Sequence, residues 1–315
     1  WTWEALAHGA EVVSYFRWRQ AASAQEQMHS GLNLPGLDEL SVGGQEATRT
    51  GRELEEIGTL PDTEQAPVAI VYDYEAYWMT RIQPHAADFR YEELVFRFYE
   101  SARRLGLDVD FVPPGAPLGG YKLVLAPSLP HVSDKALKAF ESATGAVLYG
   151  PRSGSRTRHG ATPDGLAPGP LRELTGLRIT QVSSLRPGLS DPVKGKASGL
   201  GVRWREYAET GATVLAKFAN GDPALTAKNR HYYLACLPDE KLIGSVMACI
   251  CREAGLKTTK LPPHIRLRRR GKYIFAFNYG DKPWKAPNWG KIILGNTMVP
   301  SHAVTIWRAS RKNSQ

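Results

Sequence analysis

The densest set of side chains that could do chemistry lies in residues 15–31. Glu26 and His29 stand three positions apart, so they can share one face of a helical turn. A carboxylate beside an imidazole could ligate a metal ion, or it could hold sugar hydroxyls through charge-assisted hydrogen bonds. Trp18 could add an aromatic platform, although it could equally serve packing. Two candidate ligands are few for a metal site. The alternative to both binding roles is that the two residues face solvent in a loop.

A second group of polar and aromatic residues follows the apolar run at 68–72. Asp73 and Glu75 could act as an acid and a base, because ligands of open α/β sheets bind at the carboxyl ends of strands. The alternative is a pair of acidic loop residues beside an interface. Aromatic residues are enriched at the centres of protein interfaces, and three stand within five positions here: Tyr74, Tyr77 and Trp78.

Residues 150–154 read Gly-Pro-Arg-Ser-Gly and follow a predicted strand. A nucleophile elbow has the form G-x-S-x-G, and both Pro151 and the one-position shift of Ser153 break that pattern. We therefore expect the glycines to serve the turn itself rather than a hydrolase site. The sequence also lacks the glycine-rich patterns of nucleotide-binding loops.

Apolar spacing predicts the elements that position these side chains. An apolar run at 12–16 predicts a buried strand, and a helix is expected over 45–57, which together make the last unit of a (β/α)8 barrel. An open, mainly parallel α/β sheet should follow, with strands at 68–72, 109–112, 121–126 and 146–149 and helices at 91–105, 135–144 and 242–254. Alternation from Ile265 onward predicts a small antiparallel β-domain.

Composition limits the class of protein. The 315 residues carry a formal net charge of +9, but the basic runs lack interleaved aromatic residues and residues 37–64 are acidic, so nucleic-acid binding is not expected. No apolar run approaches the roughly 18 residues of a membrane span. Three cysteines make no disulfide framework, which favours a reducing compartment and a cytoplasmic location. The chain starts at Trp1 within a predicted helix, so we expect a longer polypeptide upstream.

Several motifs together resemble glycoside hydrolase family forty-two, the bacterial β-galactosidases. The resemblance rests on His8-Gly-Ala-Glu11, on Phe16-Arg-Trp-Arg19 and on Glu26-Gln-Met-His29. It departs at Ser30, where the family usually has Gly or another small residue. The segments that begin at Asp73 and at Tyr149 also resemble family motifs of the second domain, more loosely.

The resemblance implies three domains. Residues 1–60 would end the catalytic barrel, residues 61–257 would form a trimerisation domain that looks like a glutamine amidotransferase without its nucleophile, and residues 258–315 would form the β-domain. Members of the family hydrolyse terminal β-galactosyl residues with retention, using two glutamates about 5–5.5 Å apart. Both glutamates lie upstream of the His-Gly-Ala segment in that family, so no catalytic residue is expected in this chain.

The resemblance also assigns site residues. Glu26 and His29 would bind the galactosyl unit, with Arg17 and Trp18 lining the barrel mouth, and the aromatic residues after Asp73 would lie at the trimer interface. A β-galactoside substrate and a homotrimer are implied. No cofactor is needed for that chemistry and no metal ligand is assigned in this chain, although some relatives carry a structural metal, and neither nucleic-acid nor membrane partners are expected. The alternative is a non-catalytic assembly protein that kept the oligomerising domain and lost the barrel.

Overall fold

The computed structural model describes residues 1–84, 86 and 88–310, so the end of the basic tail that begins at Arg308 lies outside the described residues. The described chain forms two compact units: residues 65–262 make one, and residues 1–64 together with residues 263–310 make the other. The assignment of residues 1–60, 61–257 and 258–315 to three domains stays a prediction.

The unit of residues 65–262 is built on an eleven-stranded sheet. Its strands are β1 (Val68–Val71), β2 (Val109–Val112), β3 (Leu123–Ala126), β4 (Ala146–Tyr149), β5 (Leu177–Ser184), β6 (Ser190–Gly195), β7 (Gly199–Thr210), β8 (Thr213–Phe218), β9 (Pro223–Lys228), β10 (His231–Leu234) and β11 (Cys236–Pro238). Its helices are α3 (Tyr74–Ile82), α4 (Tyr91–Arg104), α5 (Asp134–Glu141), α6 (Arg172–Thr175) and α7 (Glu240–Glu253). A short 3-10 turn, Gly169–Leu171, precedes α6.

Five strands of this sheet are parallel neighbours, in the order β2, β1, β3, β4 and β10. Both faces are buried, because Val68 and Ile70 of β1 pack into one apolar cluster while Ala69 and Val71 pack into the other. Phe98 of α4 lies in the first cluster, whereas Phe140 of α5 lies in the second. Helices therefore cover both faces of this parallel part, and the sheet as a whole is mixed, which is consistent with the predicted α/β fold class.

The other half of the sheet is antiparallel and was only partly predicted. Strand β9 pairs with β10, and the order continues through β8, β6, β7 and β11, while β5 pairs with β7. Strand β5 buries only Leu177 and Ile179 and exposes most of its remaining positions, so no apolar run marks it in the sequence. Helix α3 was also missed, since its Tyr, Trp and Thr residues favour strands.

The remaining unit joins the two ends of the described chain. It contains α1 (Thr2–Ala7), a 3-10 turn (Gln25–Met28), α2 (Val42–Ile57), and strands β12 (Ile265–Arg270), β13 (Tyr273–Asn278), β14 (Trp284–Lys285), β15 (Gly290–Leu294), β16 (Met298–Val299) and β17 (Ala303–Ala309). The four longer strands form an antiparallel sheet in the order β12, β13, β17, β15, which confirms the predicted antiparallel module. Trp3 and Leu6 of α1 pack against Phe275 of β13 and Ile306 of β17.

Helix α2 agrees with prediction, whereas the strand expected at 12–16 does not form. Ser41 caps α2 by accepting a hydrogen bond from the Gly44 amide at 3.1 Å. No segment of the described chain pairs with residues 12–16, and Val12 and Phe16 are 83% and 64% exposed. A parallel strand needs a neighbour to take its hydrogen bonds, so an apolar run without one stays irregular.

Candidate functional site

The loop of residues 17–33 closes on itself through backbone hydrogen bonds. The Leu32 amide donates to the Arg17 carbonyl, and the Asn33 amide donates to the Trp18 carbonyl, both at 2.8 Å. The Asn33 side chain adds a second bond to the same Trp18 oxygen at 3.1 Å. The two ends of the loop therefore lie side by side, and the 3-10 turn that carries Glu26 returns toward Arg17.

The predicted substrate-binding residues meet at this loop. The Arg17 guanidinium lies 3.4 Å from the Glu26 carboxylate and 5.5 Å from the centre of the Phe16 ring. His29 follows directly after the turn and meets Phe16 edge to face, with ring centres 6.5 Å apart. The Trp18 side chain is 69% exposed, and its backbone carbonyl accepts the hydrogen bond from the Asn33 amide. The side chains of Phe16 and Arg17 thus connect Glu26 with His29, and the substrate-binding role of these residues stays a prediction.

This arrangement suits a polyhydroxylated ligand. The Glu26 carboxylate accepts hydrogen bonds, the Arg17 guanidinium donates them, and His29 can do either according to its tautomer. The side chains of Glu26 and His29 are exposed, so a ligand can reach them. Within residues 1–84, 86 and 88–310, no group of three or more His, Cys, Asp or Glu side chains could hold a metal ion.

The segment after β1 is a helix rather than the loop that the sequence suggested. Asp73 caps α3 by accepting a hydrogen bond from the Glu75 amide at 3.0 Å, and burial raises the pKa of its carboxyl. Glu75 lies 3.7 Å from the His131 ring. The Asp73 carboxylate therefore serves as a helix cap, and the geometry gives it no acid–base partner role with Glu75.

A continuous aromatic surface runs from α3 across the edge strand β2 to α4. We call it the aromatic face, and its rings are Trp78, Tyr74, Tyr72, Phe111, Tyr99 and Phe96. Successive ring centres along this series lie 5.2–6.5 Å apart. Tyr74 and Trp78, one helical turn apart, are 64% and 56% exposed. Tyr77 turns instead toward Arg81, whose guanidinium donates to the Tyr77 hydroxyl at 2.6 Å.

The turn after β4 holds buried polar groups that the sequence did not reveal. Arg152 adopts a φ of 69°, and its amide donates to the carboxylate of the fully buried Glu206 at 3.0 Å. The Tyr233 hydroxyl donates to the other oxygen of that carboxylate at 2.8 Å. Burial raises the pKa of Glu206, an effect that the nearby Arg152 opposes. Glu206 is one of several charged residues of β7 in the sequence, so only the fold shows which partners it has.

The expectation that this turn is no nucleophile site agrees with its geometry. The buried Ser153 hydroxyl donates to the Gly150 carbonyl at 2.9 Å and accepts from the Leu129 amide at 3.1 Å. Its hydrogen bonds therefore stabilise the turn. A side chain at Gly150 would collide with the Pro127 carbonyl, and one at Gly154 with the Pro168 carbonyl. The glycines therefore serve the turn, as predicted.

The three cysteines are free and buried. Burial raises the pKa of the Cys251 thiol to about 12 and that of the Cys236 thiol further. Thiols held in the neutral form are poor nucleophiles. In the described chain, no helix combines the length and the apolar character that crossing a membrane would require.

Comparisons with known proteins agree along almost the whole chain. A family model described as a β-galactosidase trimerisation domain matches residues 66–257, and one described as β-galactosidase matches residues 1–57. A β-galactosidase of Thermus thermophilus is 49% identical over 98% of this chain, and one of Haloferax lucentense is 32% identical over 95% of it. These matches take up 48% and 47% of the relatives, so the chain spans about half their length.

Solved structures give the same result. The crystal structure of a β-galactosidase from the psychrophilic Marinomonas ef1 superposes with a TM-score of 0.94 at 37% identity, over 98% of this chain and 49% of that one. A polyextremophilic β-galactosidase from the haloarchaeon Halorubrum lacusprofundi superposes with a TM-score of 0.91 at 28% identity, over 98% of this chain and 49% of that one. The predicted fold class is confirmed by these superpositions.

Proposed function

Because this chain belongs to the β-galactosidases of glycoside hydrolase family forty-two, we propose that it acts as the C-terminal portion of a retaining β-galactosidase. The substrate class would be terminal β-D-galactosyl residues. The observation that carries the proposal is the match of residues 1–57 to one part of the family and of residues 66–257 to the next, in the family's order.

The proposed chemistry divides between this chain and the preceding barrel strands. Retaining hydrolysis needs two carboxylates about 5–5.5 Å apart, and we assign both glutamates to the part of the enzyme that precedes this chain. Glu26 and His29 would hold hydroxyls of the galactosyl unit, with Arg17 orienting the Glu26 carboxylate and Trp18 lining the cleft. Their proximity in one exposed loop supports this role. The two-carboxylate reaction uses no cofactor.

We assign the aromatic face to self-association, with a homotrimer as the product. Two observations support this assignment: the family model for residues 66–257 is that of a trimerisation domain, and the rings of Tyr74 and Trp78 are more than half exposed. Tyr77 would support the interface through its contact with Arg81. A cytoplasmic location is also part of the proposal, since three free buried cysteines suit a reducing compartment.

A chimera tests the proposed function. The N-terminal half of the Thermus thermophilus relative would be joined to this chain, which is 49% identical to the relative's C-terminal half. We expect the chimera to hydrolyse a chromogenic β-galactoside and this chain alone to show no turnover, because the chain lacks the carboxylate pair. The N-terminal half alone is the control for activity that does not depend on this chain.

Two results would contradict the proposal. Turnover by the 315-residue chain that disappears in Glu26→Gln would make Glu26 catalytic. A chimera that folds and assembles as a trimer yet remains inactive would favour the alternative, a non-catalytic assembly protein.

A further inference from the structure

A cleft of about 390 Å³ opens beside the turn that follows β4. It lies at the carboxyl end of a parallel strand, which is where open α/β sheets bind ligands. Its polar lining includes Arg152, Arg156 and Ser155, and its apolar lining includes Leu166, Ile179 and Trp204. All of these residues belong to the unit of residues 65–262, whereas the loop proposed to bind galactose belongs to the other unit.

Arg152 brings a buried positive charge to this cleft without a matching ion pair. Its side chain is 6% exposed, and in the described part of the chain the carboxylate that acts on its charge, Glu206, does not come within ion-pair distance of the guanidinium. The Glu206 carboxylate instead accepts a hydrogen bond from the backbone amide of Arg152. The guanidinium lies over the Trp204 ring at 4.7 Å, and its Nε atom is buried without a hydrogen-bond partner.

A second arginine adds to the charge. The Arg156 guanidinium is half-buried and donates to the Gln83 side-chain oxygen at 2.7 Å, a neutral acceptor that leaves the positive charge uncompensated. Burial lowers the pKa of Arg152, and the charge of Arg156 acts in the same direction while Glu206 opposes it. The hydroxyl of Ser155 is also buried without a partner.

Buried charges and buried hydroxyls cost free energy unless they are paired, so such a group of unsatisfied donors indicates a missing acceptor. The planar guanidinium fork matches a carboxylate or a phosphate. We propose that this cleft binds a small organic molecule through its oxyanion group, a carboxylate or a phosphate, held by Arg152, Arg156 and Ser155. The apolar part of the molecule lies against Leu166 and Ile179.

Calorimetric titration of the 315-residue chain tests this site with three small probes at constant ionic strength. Pentanoate carries a carboxylate, butyl phosphate carries a phosphate, and 1-pentanol has a similar apolar body without charge. We expect at least one of the two anions to bind once per chain with about millimolar affinity or tighter, as is usual for probes of this size. The alcohol should not bind, and the preferred anion identifies the ligand class.

Matched variants locate the binding. The substitution Arg156→Met should lower the affinity for the anion at least about tenfold, because one charged contact is lost. Arg158→Met, an exposed arginine two positions away, should change affinity less than about twofold and serves as the control. Arg156 is half-buried, so its variant is expected to fold, which circular dichroism would check. The proposal is overturned if both anions bind with a Kd above about 20 mM, or if the alcohol binds as tightly as the anions. It is also overturned if the Arg156→Met variant binds the anion as tightly as the parent chain does.

Discussion

Glu26 and His29 lie in an exposed loop in which the Glu26 carboxylate already contacts a guanidinium. A charged hydrogen bond to a sugar hydroxyl is worth roughly 1.5–3 kcal/mol. In the active chimera, we therefore expect Glu26→Gln or His29→Ala to lower kcat/KM by roughly 10- to 150-fold. Bonds to the hydroxyl beside the reacting carbon strengthen in the transition state, so kcat should fall as KM rises.

Glu55→Gln is the matched control, since Glu55 is an exposed carboxylate on α2. It should leave kcat/KM within about twofold of the parent value. If both loop variants behave like this control, with unchanged unfolding midpoints, the loop does not bind the substrate. The family match would then describe the fold of this region and nothing about its ligand.

His231 makes stability depend on pH. Burial lowers the pKa of His231 from 6.5 to about 4, helped by the positive charges of Arg230 and Lys228, and its Nδ1 atom lies 3.1 Å from the Tyr149 hydroxyl. The unfolded chain therefore binds the proton more tightly than the folded chain does. The contribution to stability is full above pH 6.5 and is lost as the pH falls toward 4, by up to about 3 kcal/mol.

Urea unfolding between pH 7 and pH 4 would measure this loss. His231→Gln should flatten the pH dependence, while the exposed His159→Gln should keep it. A pH dependence that is the same in all three proteins would exclude His231 as its source.

Among the elements, α1 and β12 are joined by one side chain. Arg270 is buried on β12 and donates to the carbonyls of Leu6 at 2.5 Å, Pro61 at 2.6 Å and Ala10 at 3.3 Å. Leu6 lies in the last turn of α1, which has no basic residue of its own, so Arg270 supplies the positive charge that a helix C-terminus favours. Arg270→Met should therefore lower the free energy of unfolding by about 2–4 kcal/mol, because buried carbonyls lose their donors.

Lys291→Met is the control for this substitution, since Lys291 is an exposed cation on the same small sheet. It should change the free energy of unfolding by less than about 0.5 kcal/mol. Equal unfolding midpoints for the two variants would show that the Arg270 contacts do not stabilise α1.

Helix α3 carries the exposed end of the aromatic face, so its substitutions test assembly. The double variant Tyr74→Ser, Trp78→Ser removes two rings that are more than half exposed. It should convert the proposed trimer into a monomer at about 10 μM, because large aromatic side chains dominate interface energies. Leu189→Ser, an exposed apolar residue elsewhere in this unit, should leave the trimer intact. Light scattering measures both, and a trimer that survives the double variant would place the interface elsewhere.

The success of sequence-based prediction also differs between elements. Helices α2, α4, α5 and α7 and the four predicted parallel strands could be located because long apolar periods or short apolar runs mark them. Helix α3 could not, because its strand-forming residues are overridden by the Asp73 cap and by packing. Glu26 and His29 stand on one short turn because they are three positions apart, whereas Arg152 and Glu206 are 54 positions apart and only the sheet brings them together.

For the whole molecule, the path of the chain decides which unit can fold first. The unit of residues 65–262 is continuous in sequence, whereas the other unit combines residues from both ends of the described chain. Residues 1–64 leave the ribosome before residues 65–262, yet the strands that cover Trp3 and Leu6 come from residues beyond 263. The bond from Arg270 to Leu6 spans 264 positions. At ordinary rates of translation, about 5–20 residues per second, α1 waits roughly 13–53 s for its partner, while residues 65–262 can already fold. Until those strands are made, Trp3 and Leu6 of α1 lack the apolar partners that they have in the folded unit, which makes α1 a candidate segment for chaperone binding during synthesis.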